Sequence, residues 1–148
     1  MKLLVIGSGM MGSAAAFDMA RTPQVKSVTL ADNDGKRARD VAARVNRITG
    51  DRKVRAVVLD ASDEKAVSML MTGHDAALSC VPYFLNLGLA RAAVEAKCHF
   101  ADLGGNNTVV RQELALSKKA EKRGVALAPD CGAGRPFSSG PFSRARRC

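Results

Sequence analysis

Three glycines near the start of the chain have the spacing of a phosphate-binding turn. Gly7, Gly9 and Gly12 follow the apolar run 3–6 in the pattern G-x-G-x-x-G, which in a strand–turn–helix context binds the pyrophosphate of a dinucleotide. The first glycine of that motif permits the tight turn, the second lets the backbone approach the phosphates, and the third lets the helix pack on the strand. The helix N-terminus favours an anion without a basic side chain. We therefore expect the whole turn to bind a cofactor: Gly7, Ser8, Gly9, Met10, Met11 and Gly12.

An acidic residue stands where the same motif needs one. Asp32 ends the β-rich run 27–31 and lies about 20 residues after Gly12, the position of the carboxylate that binds the ribose 2′-hydroxyl. The first strand, the glycines, the helix, the second strand and the acid thus occur in the order that the motif requires. The sequence therefore predicts a dinucleotide site. The alternative is that Asp32 merely caps the next helix, because Asp32, Asn33 and Asp34 are all competent N-caps.

The sequence favours NAD over NADP at this site. The 2′-phosphate that distinguishes NADP would face the negative charge of Asp32, whereas a ribose hydroxyl can donate to it. Lys36, Arg37 and Arg39 lie too far into the following helix to make NADP the better ligand, although they keep it open. An S-adenosylmethionine-dependent transferase shares the glycine-rich turn and the acidic second strand, but the full G-x-G-x-x-G motif fits a dinucleotide better.

The order of the elements that position these residues predicts a Rossmann fold. Runs typical of strands begin near positions 2, 27, 54, 75, 99 and 125, and a helical segment separates each from the next. This α/β alternation favours right-handed βαβ units and a parallel, doubly wound sheet, here with six strands in the order 3-2-1-4-5-6. We expect the last helix to run unbroken from a cap at Thr108 to Arg123. Residues 1–132 are predicted to form the dinucleotide-binding domain.

The carboxyl ends of the strands should gather the rest of the site, because ligands of open α/β sheets bind at that edge. We expect the adenosine half of the cofactor beside Asp32 and the residues after the third strand. We expect the nicotinamide beside the residues after the fourth strand and the end of the fifth. His74 and His99 are expected to have structural roles rather than to act as general bases. The candidate cofactor-binding residues added by this edge are Asp60, Ala61, Cys80, Val81 and Pro82.

Composition and charge weigh against several other classes of protein. The 148 residues are 47% hydrophobic, which indicates one folded domain. The four cysteines form no C-x-x-C pair, so we expect neither a zinc site, nor another metal site, nor a disulfide framework. We expect the thiols to be reduced, as in a cytoplasmic protein. The net charge of +9 comes from basic residues that alternate with acids or collect after residue 132, so we expect no nucleic-acid partner. No apolar run approaches the length of about 18 residues that a membrane span requires, so we expect no membrane partner.

Six segments at predicted strand ends share a second pattern: 5–12, 30–32, 59–62, 79–86, 101–105 and 128–132. Together they resemble the saccharopine dehydrogenase family and, within it, the lysine dehydrogenase-like branch. The resemblance implies an NAD(P)-dependent oxidoreductase acting on a carbon–nitrogen bond of an amino acid, with hydride transfer to the nicotinamide and hydrolysis of the resulting imine. It also implies a catalytic role for Asp102, which would bind the substrate amine or relay a proton; a loop cap is the structural alternative.

The segment after Gly132 departs from that family, in which a substrate and dimerisation domain follows. Residues 133–148 contain no Val, Ile, Leu or Met, and we expect an atypical, disordered tail that results from a truncation or a frame shift. Cofactor binding with little or no dehydrogenase turnover is the consequence for function. Apolar surface left uncovered would favour a homo-oligomer. The alternative function is a non-catalytic module that senses NAD(H) or regulates a partner.

Overall fold

A parallel sheet of six strands, with helices on both faces, is the framework of the computed structural model, which describes residues 1–132. The strand order β3-β2-β1-β4-β5-β6 confirms the predicted Rossmann topology. The predicted tail at 133–148 lies outside the described residues. Within residues 1–132, no helix has both the length and the apolar character needed to cross a membrane.

The strands are β1 (Lys2–Ile6), β2 (Ser27–Asp32), β3 (Val54–Val58), β4 (Ala76–Ser79), β5 (His99–Asp102) and β6 (Leu127–Ala128). The helices are α1 (Met10–Arg21), α2 (Gly35–Thr49), α3 (Glu64–Met71), α4 (Asn86–Ala96), α5 (Asn107–Leu114) and α6 (Ser117–Arg123).

Strand β1 is buried on both faces because helices cover both sides of the sheet. Its side chains alternate between the two faces, as they must in a strand. Leu4 and Ile6 join the apolar cluster that includes residues of α3 and α4, whereas Leu3 and Val5 join the cluster that includes residues of α1 and α2. A run of four apolar residues without alternation is typical of such a doubly covered strand. The glycine turn that follows is therefore anchored to a buried central strand of the sheet.

The last helical region differs from the prediction. The sequence predicted one helix from Thr108 to Arg123, but the structure contains two, α5 and α6, separated by Ala115 and Leu116. The amide of Leu116 donates to the carbonyl oxygen of Glu113, three residues back, at 2.9 Å. This tighter turn interrupts the α-helical ladder and separates the two helices.

Asn106, rather than Thr108, caps α5. The side-chain oxygen of Asn106 accepts hydrogen bonds from the amides of Thr108 at 2.9 Å and Val109 at 3.3 Å. An asparagine oxygen reaches the second and third amides of a helix in this way, which satisfies donors that have no partner within the helix. The helix therefore begins one residue before the threonine that was predicted to precede it.

Candidate functional site

The three glycines of the turn have different surroundings. Gly7 has a φ of 100°, and a Cβ atom there would lie 2.7 Å from the carbonyl oxygen of Cys80. A Cβ atom on Gly12 would collide with the carbonyl group of Gly7. A Cβ atom on Gly9 would meet no atom within 4 Å. Gly7 and Gly12 are therefore required by the fold itself, whereas Gly9 leaves open space beside the backbone.

Helix α1 presents an uncapped N-terminus to this open space. Gly9 is its N-cap residue and supplies no side-chain hydrogen bond, and the first amides of a helix have no acceptor within the helix. The side chains of Met10 and Met11 are exposed. Free amides and the positive end of the helix dipole favour an anion, so the turn fits the pyrophosphate of a dinucleotide.

Asp32, at the carboxyl end of β2, is held by four hydrogen bonds. Its Oδ2 atom accepts from the amide of Ser8 at 2.6 Å and from the Ser8 hydroxyl at 2.7 Å. Its Oδ1 atom accepts from the amide of Asp34 at 2.9 Å and from Nη2 of Arg37 at 2.7 Å. Burial alone would raise the pKa of Asp32, but these hydrogen bonds lower it to about 2. The carboxylate is therefore charged throughout the physiological pH range.

The alternative role for Asp32 as a helix cap is wrong. Asp34 is the N-cap of α2, and its side chain accepts a hydrogen bond from the amide of Arg37 at 3.0 Å. Asp32 accepts from the amide of Asp34, one residue outside the helix. The carboxylate of Asp32 thus fixes the loop that leads into α2 and remains at the edge of the sheet.

The expectation that the basic residues of α2 lie too far away is wrong for Arg37. Long side chains on a helix lie back toward its N-terminus, and the guanidinium of Arg37 reaches the edge of the sheet. Besides its ion pair with Asp32, its Nε atom donates to the hydroxyl oxygen of Ser8 at 3.3 Å. Arg37 therefore belongs to the site, although the sequence reasoning placed it outside.

A cleft of about 440 Å³ lies at the carboxyl ends of β1 to β4. It brings together eight of the predicted site residues: Gly7, Gly9, Asp32, Asp60, Ala61, Cys80, Val81 and Pro82. The remaining predicted residues, Ser8, Met10, Met11, Gly12 and Asp102, are not part of its lining. The predicted site residues omitted seven residues of the lining: Ile6, Ala31, Asn33, Arg37, Leu59, Phe84 and Leu85. A second hollow, of about 490 Å³, lies along α2 and shares Arg37 with the cleft, but no residue of the glycine turn lines it.

Cys80 and Asp60, which both line the cleft, have perturbed pKa values. Burial raises the pKa of Cys80 to about 11, so the thiol is neutral and a poor nucleophile. Asp60 accepts from the Ser62 hydroxyl at 2.7 Å and from its amide at 2.9 Å, and these bonds lower the pKa of the carboxyl. Strand β4 ends at Ser79, so Cys80 to Pro82 form a loop at the wall of the cleft.

Asp102 is buried, with no exposed surface. Its Oδ1 atom accepts from the amides of Gly104 at 2.6 Å and Asp130 at 3.2 Å. Its Oδ2 atom and both carboxyl oxygens of Glu113 are buried. Burial, together with the charge of Asp102, a hydrogen bond between the two carboxyl groups and the charge of Asp130, raises the pKa of Glu113 to about 7. The hydrogen bonds to the loop support the structural alternative for Asp102, whose catalytic role stays a prediction.

The two histidines make structural contacts. The ring of His74 lies 2.8 Å from the hydroxyl oxygen of Thr29 and 2.8 Å from the carbonyl oxygen of Leu70. The Nδ1 atom of His99 accepts from the amide of Ala126 at 3.0 Å. Neither residue belongs to the lining of the cleft, so neither is placed to act as a base there.

Solved structures of oxidoreductases have the same fold. Saccharopine dehydrogenase (L-Glu forming) from Saccharomyces cerevisiae matches with a TM-score of 0.71 and 20% identity over 88% of this chain and 27% of that chain. Quinate dehydrogenase from Corynebacterium glutamicum, in complex with NAD, matches with a TM-score of 0.62 and 21% identity over 85% of this chain and 43% of that one. UDP-N-acetylglucosamine 3-dehydrogenase from Acidithiobacillus ferrooxidans matches with a TM-score of 0.62 and 25% identity over 87% of this chain and 37% of that one. This chain thus spans less than half the length of each of these enzymes.

The family match is more specific than these likenesses of fold. Residues 3–128 match the model of the saccharopine dehydrogenase NADP-binding domain. That range runs from β1 to the end of β6 and includes the glycine turn, Asp32, Arg37 and the cleft. The chain therefore belongs to the saccharopine dehydrogenase family, of which it contains the nicotinamide-dinucleotide-binding domain.

Proposed function

We propose that this chain holds a nicotinamide dinucleotide in the cleft and serves as the cofactor-binding part of an oxidoreductase acting on a carbon–nitrogen bond of an amino acid. The open space beside Gly9 carries the proposal, since Gly7 and Gly12 are packed and Gly9 alone of the three leaves room for a ligand. The pyrophosphate would lie there, against the N-terminus of α1. The adenosine half would lie beside Asp32 and Asp60, and the nicotinamide beside Cys80 to Pro82.

The cleft residues near the proposed nicotinamide position are poor at moving protons. They are Cys80, Val81, Pro82, Phe84 and Leu85, and the Cys80 thiol is neutral because of its raised pKa. A bound nicotinamide would supply the hydride-accepting carbon. An amine must lose a proton before or during its oxidation to an imine, which calls for a base within hydrogen-bond reach. We therefore propose that turnover needs groups outside residues 1–132 and that this chain binds cofactor with little turnover.

A glycine substitution tests the proposed cleft. The 148-residue chain is titrated with NADH and with NADPH, and binding is followed by nicotinamide fluorescence and by calorimetry. Gly9→Ala should weaken the binding of NADH and of NADPH by at least about tenfold, because a methyl group would occupy the space of the pyrophosphate. The variant should keep the thermal stability of the original chain, because the new Cβ atom has no protein atom within 4 Å and the φ of −67° suits alanine.

Gly50→Asn is the matched control. Gly50 ends α2 with a φ of 70° and open space around it, and asparagine tolerates this conformation. This variant should bind both dinucleotides as the original chain does. Failure of the original chain to bind either dinucleotide, or equal binding by Gly9→Ala, would show that the cleft is not the site. Robust amine-dependent formation of NADH or NADPH would contradict the proposed lack of turnover.

A further inference from the structure

A buried hydrogen bond closes the loop that forms one wall of the cleft. Ser79, the last residue of β4, donates through its hydroxyl to Oδ1 of Asn86, the first residue of α4, at 2.7 Å. Each of the two residues is 1% exposed. Residues 80–85, which lie between them and are called the wall loop below, line the cleft at every position except Tyr83.

The polar side chain at position 86 serves this loop. A buried amide costs free energy unless it is hydrogen-bonded. Asparagine often caps a helix by accepting from its first amides, but the N-cap of α4 is Leu85, and the oxygen of Asn86 accepts from Ser79 instead. Neither Asn86 nor Ser79 lines the cleft. Their hydrogen bond therefore fixes the wall loop from behind.

The two ends of the wall loop are held in different ways. At its start, the amide of Cys80 donates to the last carbonyl oxygen of β1 at 2.7 Å, and its own carbonyl group packs against Gly7. At its end, the side chain of Asn86 ties the loop to β4. Between these ends, Tyr83 and Phe84 are exposed, with their rings in an edge-to-face contact. Loss of the Asn86 bond would therefore loosen the aromatic part of the loop and leave its start in place.

We propose that Asn86 is a positioning residue for the cofactor: through its bond to Ser79 it holds the wall loop in the conformation that receives the nicotinamide ring, without touching the ring. This inference rests on the proposed function, because it assumes a dinucleotide whose nicotinamide lies at this wall. The part of the loop nearest to Asn86 presents the apolar side chains of Phe84 and Leu85 to the cleft. A preformed apolar wall binds a flat ring more tightly than one that must be ordered during binding.

Two ligands that differ by the nicotinamide test this inference by direct binding. NADH and ADP-ribose, which has the adenosine and the pyrophosphate but no nicotinamide, are titrated calorimetrically into the full chain. In Asn86→Leu and in Ser79→Ala the affinity for NADH should fall by about tenfold, the loss expected when one or two side chains must be ordered on binding. The affinity for ADP-ribose should stay within about twofold, because the glycine turn is distant from the lost bond. The double variant should lose no more than the single ones, since both residues act through one bond.

Thr29→Val is the matched control. Thr29 is a fully buried residue of β2 whose hydroxyl oxygen accepts from Nε of Arg55 at 3.0 Å, and it does not line the cleft. Valine has a similar shape and removes a buried hydrogen bond, so this variant should bind both ligands as the original chain does. Thermal unfolding should show that each variant is folded, and Ser79→Ala, the smaller change, decides the test if Asn86→Leu unfolds.

Three results would overturn the inference while the proposed cleft stands. They are an unchanged NADH affinity in the folded variants, an equal loss of affinity for NADH and ADP-ribose, and an original chain that binds these two ligands equally well. A selective loss of NADH affinity in Thr29→Val would also contradict it, because the effect would then follow from any lost buried hydrogen bond. An original chain that binds neither ligand would overturn the proposed function itself.

Discussion

Replacement of Glu113 by glutamine should change how the stability of this domain depends on pH. Glu113 lies on α5 with 1% of its surface exposed, beside the buried carboxyl of Asp102. Burial and the charges of Asp102 and Asp130 raise its pKa from 4.5 to about 7. The folded protein therefore keeps a proton on this carboxyl at pH values where the unfolded chain has released it.

The sign and size of the effect follow from that difference. Between pH 4.5 and about pH 7 the unfolded state binds fewer protons at Glu113 than the folded state, so the free energy of unfolding falls as the pH rises. At about 1.4 kcal/mol per pKa unit, the contribution of Glu113 falls by about 3 kcal/mol across this window and is constant above it.

Urea unfolding at several pH values between 4.5 and 8 measures this contribution. Circular dichroism is the suitable signal, because the chain has no tryptophan. Glu113→Gln keeps a neutral donor beside Asp102, and its stability relative to the original chain should increase by about 3 kcal/mol from pH 4.5 to pH 8. Glu121→Gln, on the exposed surface of α6, is the control and should differ by less than about 0.5 kcal/mol at every pH. A Glu113→Gln difference that does not vary with pH would refute the reasoning.

Two further changes test local contacts. Asn106→Ala should lower the free energy of unfolding by about 1 kcal/mol, because α5 loses its side-chain cap; an unchanged melting temperature would contradict that role. Burial lowers the pKa of His74 below 6.5, so the folded state binds fewer protons than the unfolded state in weak acid, and stability should fall as the pH drops below 6.5. His74→Gln should show less of this fall in urea unfolding, and an equal fall in both proteins would assign the pH dependence to other groups.

The framework could be predicted because its signals are local. The apolar run of β1, the three glycines and the start of α1 occupy one short stretch, and Gly7 and Gly12 have the close backbone contacts that the motif predicts. The alternation of strands and helices then fixes the strand order through the handedness of βαβ units. The lining of the cleft by residues after β1 to β4 follows from the same topology.

The buried pair around Asp102 could not be predicted in the same way. Val109, Glu113, Leu116 and Ala120 follow one another at spacings of four, three and four residues, which is the pattern of one helix face. Glu113 thus stands on the buried face, and this spacing was the available signal. Helical charge is usually solvated, however, and the neighbouring carboxyl of Asp102 comes from a strand that is distant in sequence, so its effect on the protonation of Glu113 depends on the three-dimensional structure.

Arg37 shows why the rule that links an acid at the end of β2 to NAD is incomplete. The rule assumes that the carboxylate has acceptor positions free for the ribose. In this chain Ser8, within the glycine turn, and Arg37, in the first turn of α2, both donate to Asp32. The ligands that such a carboxylate can accept therefore depend on the donors that it already binds. Here one of those donors is the half-exposed guanidinium of Arg37, which lines the cleft beside Asp32.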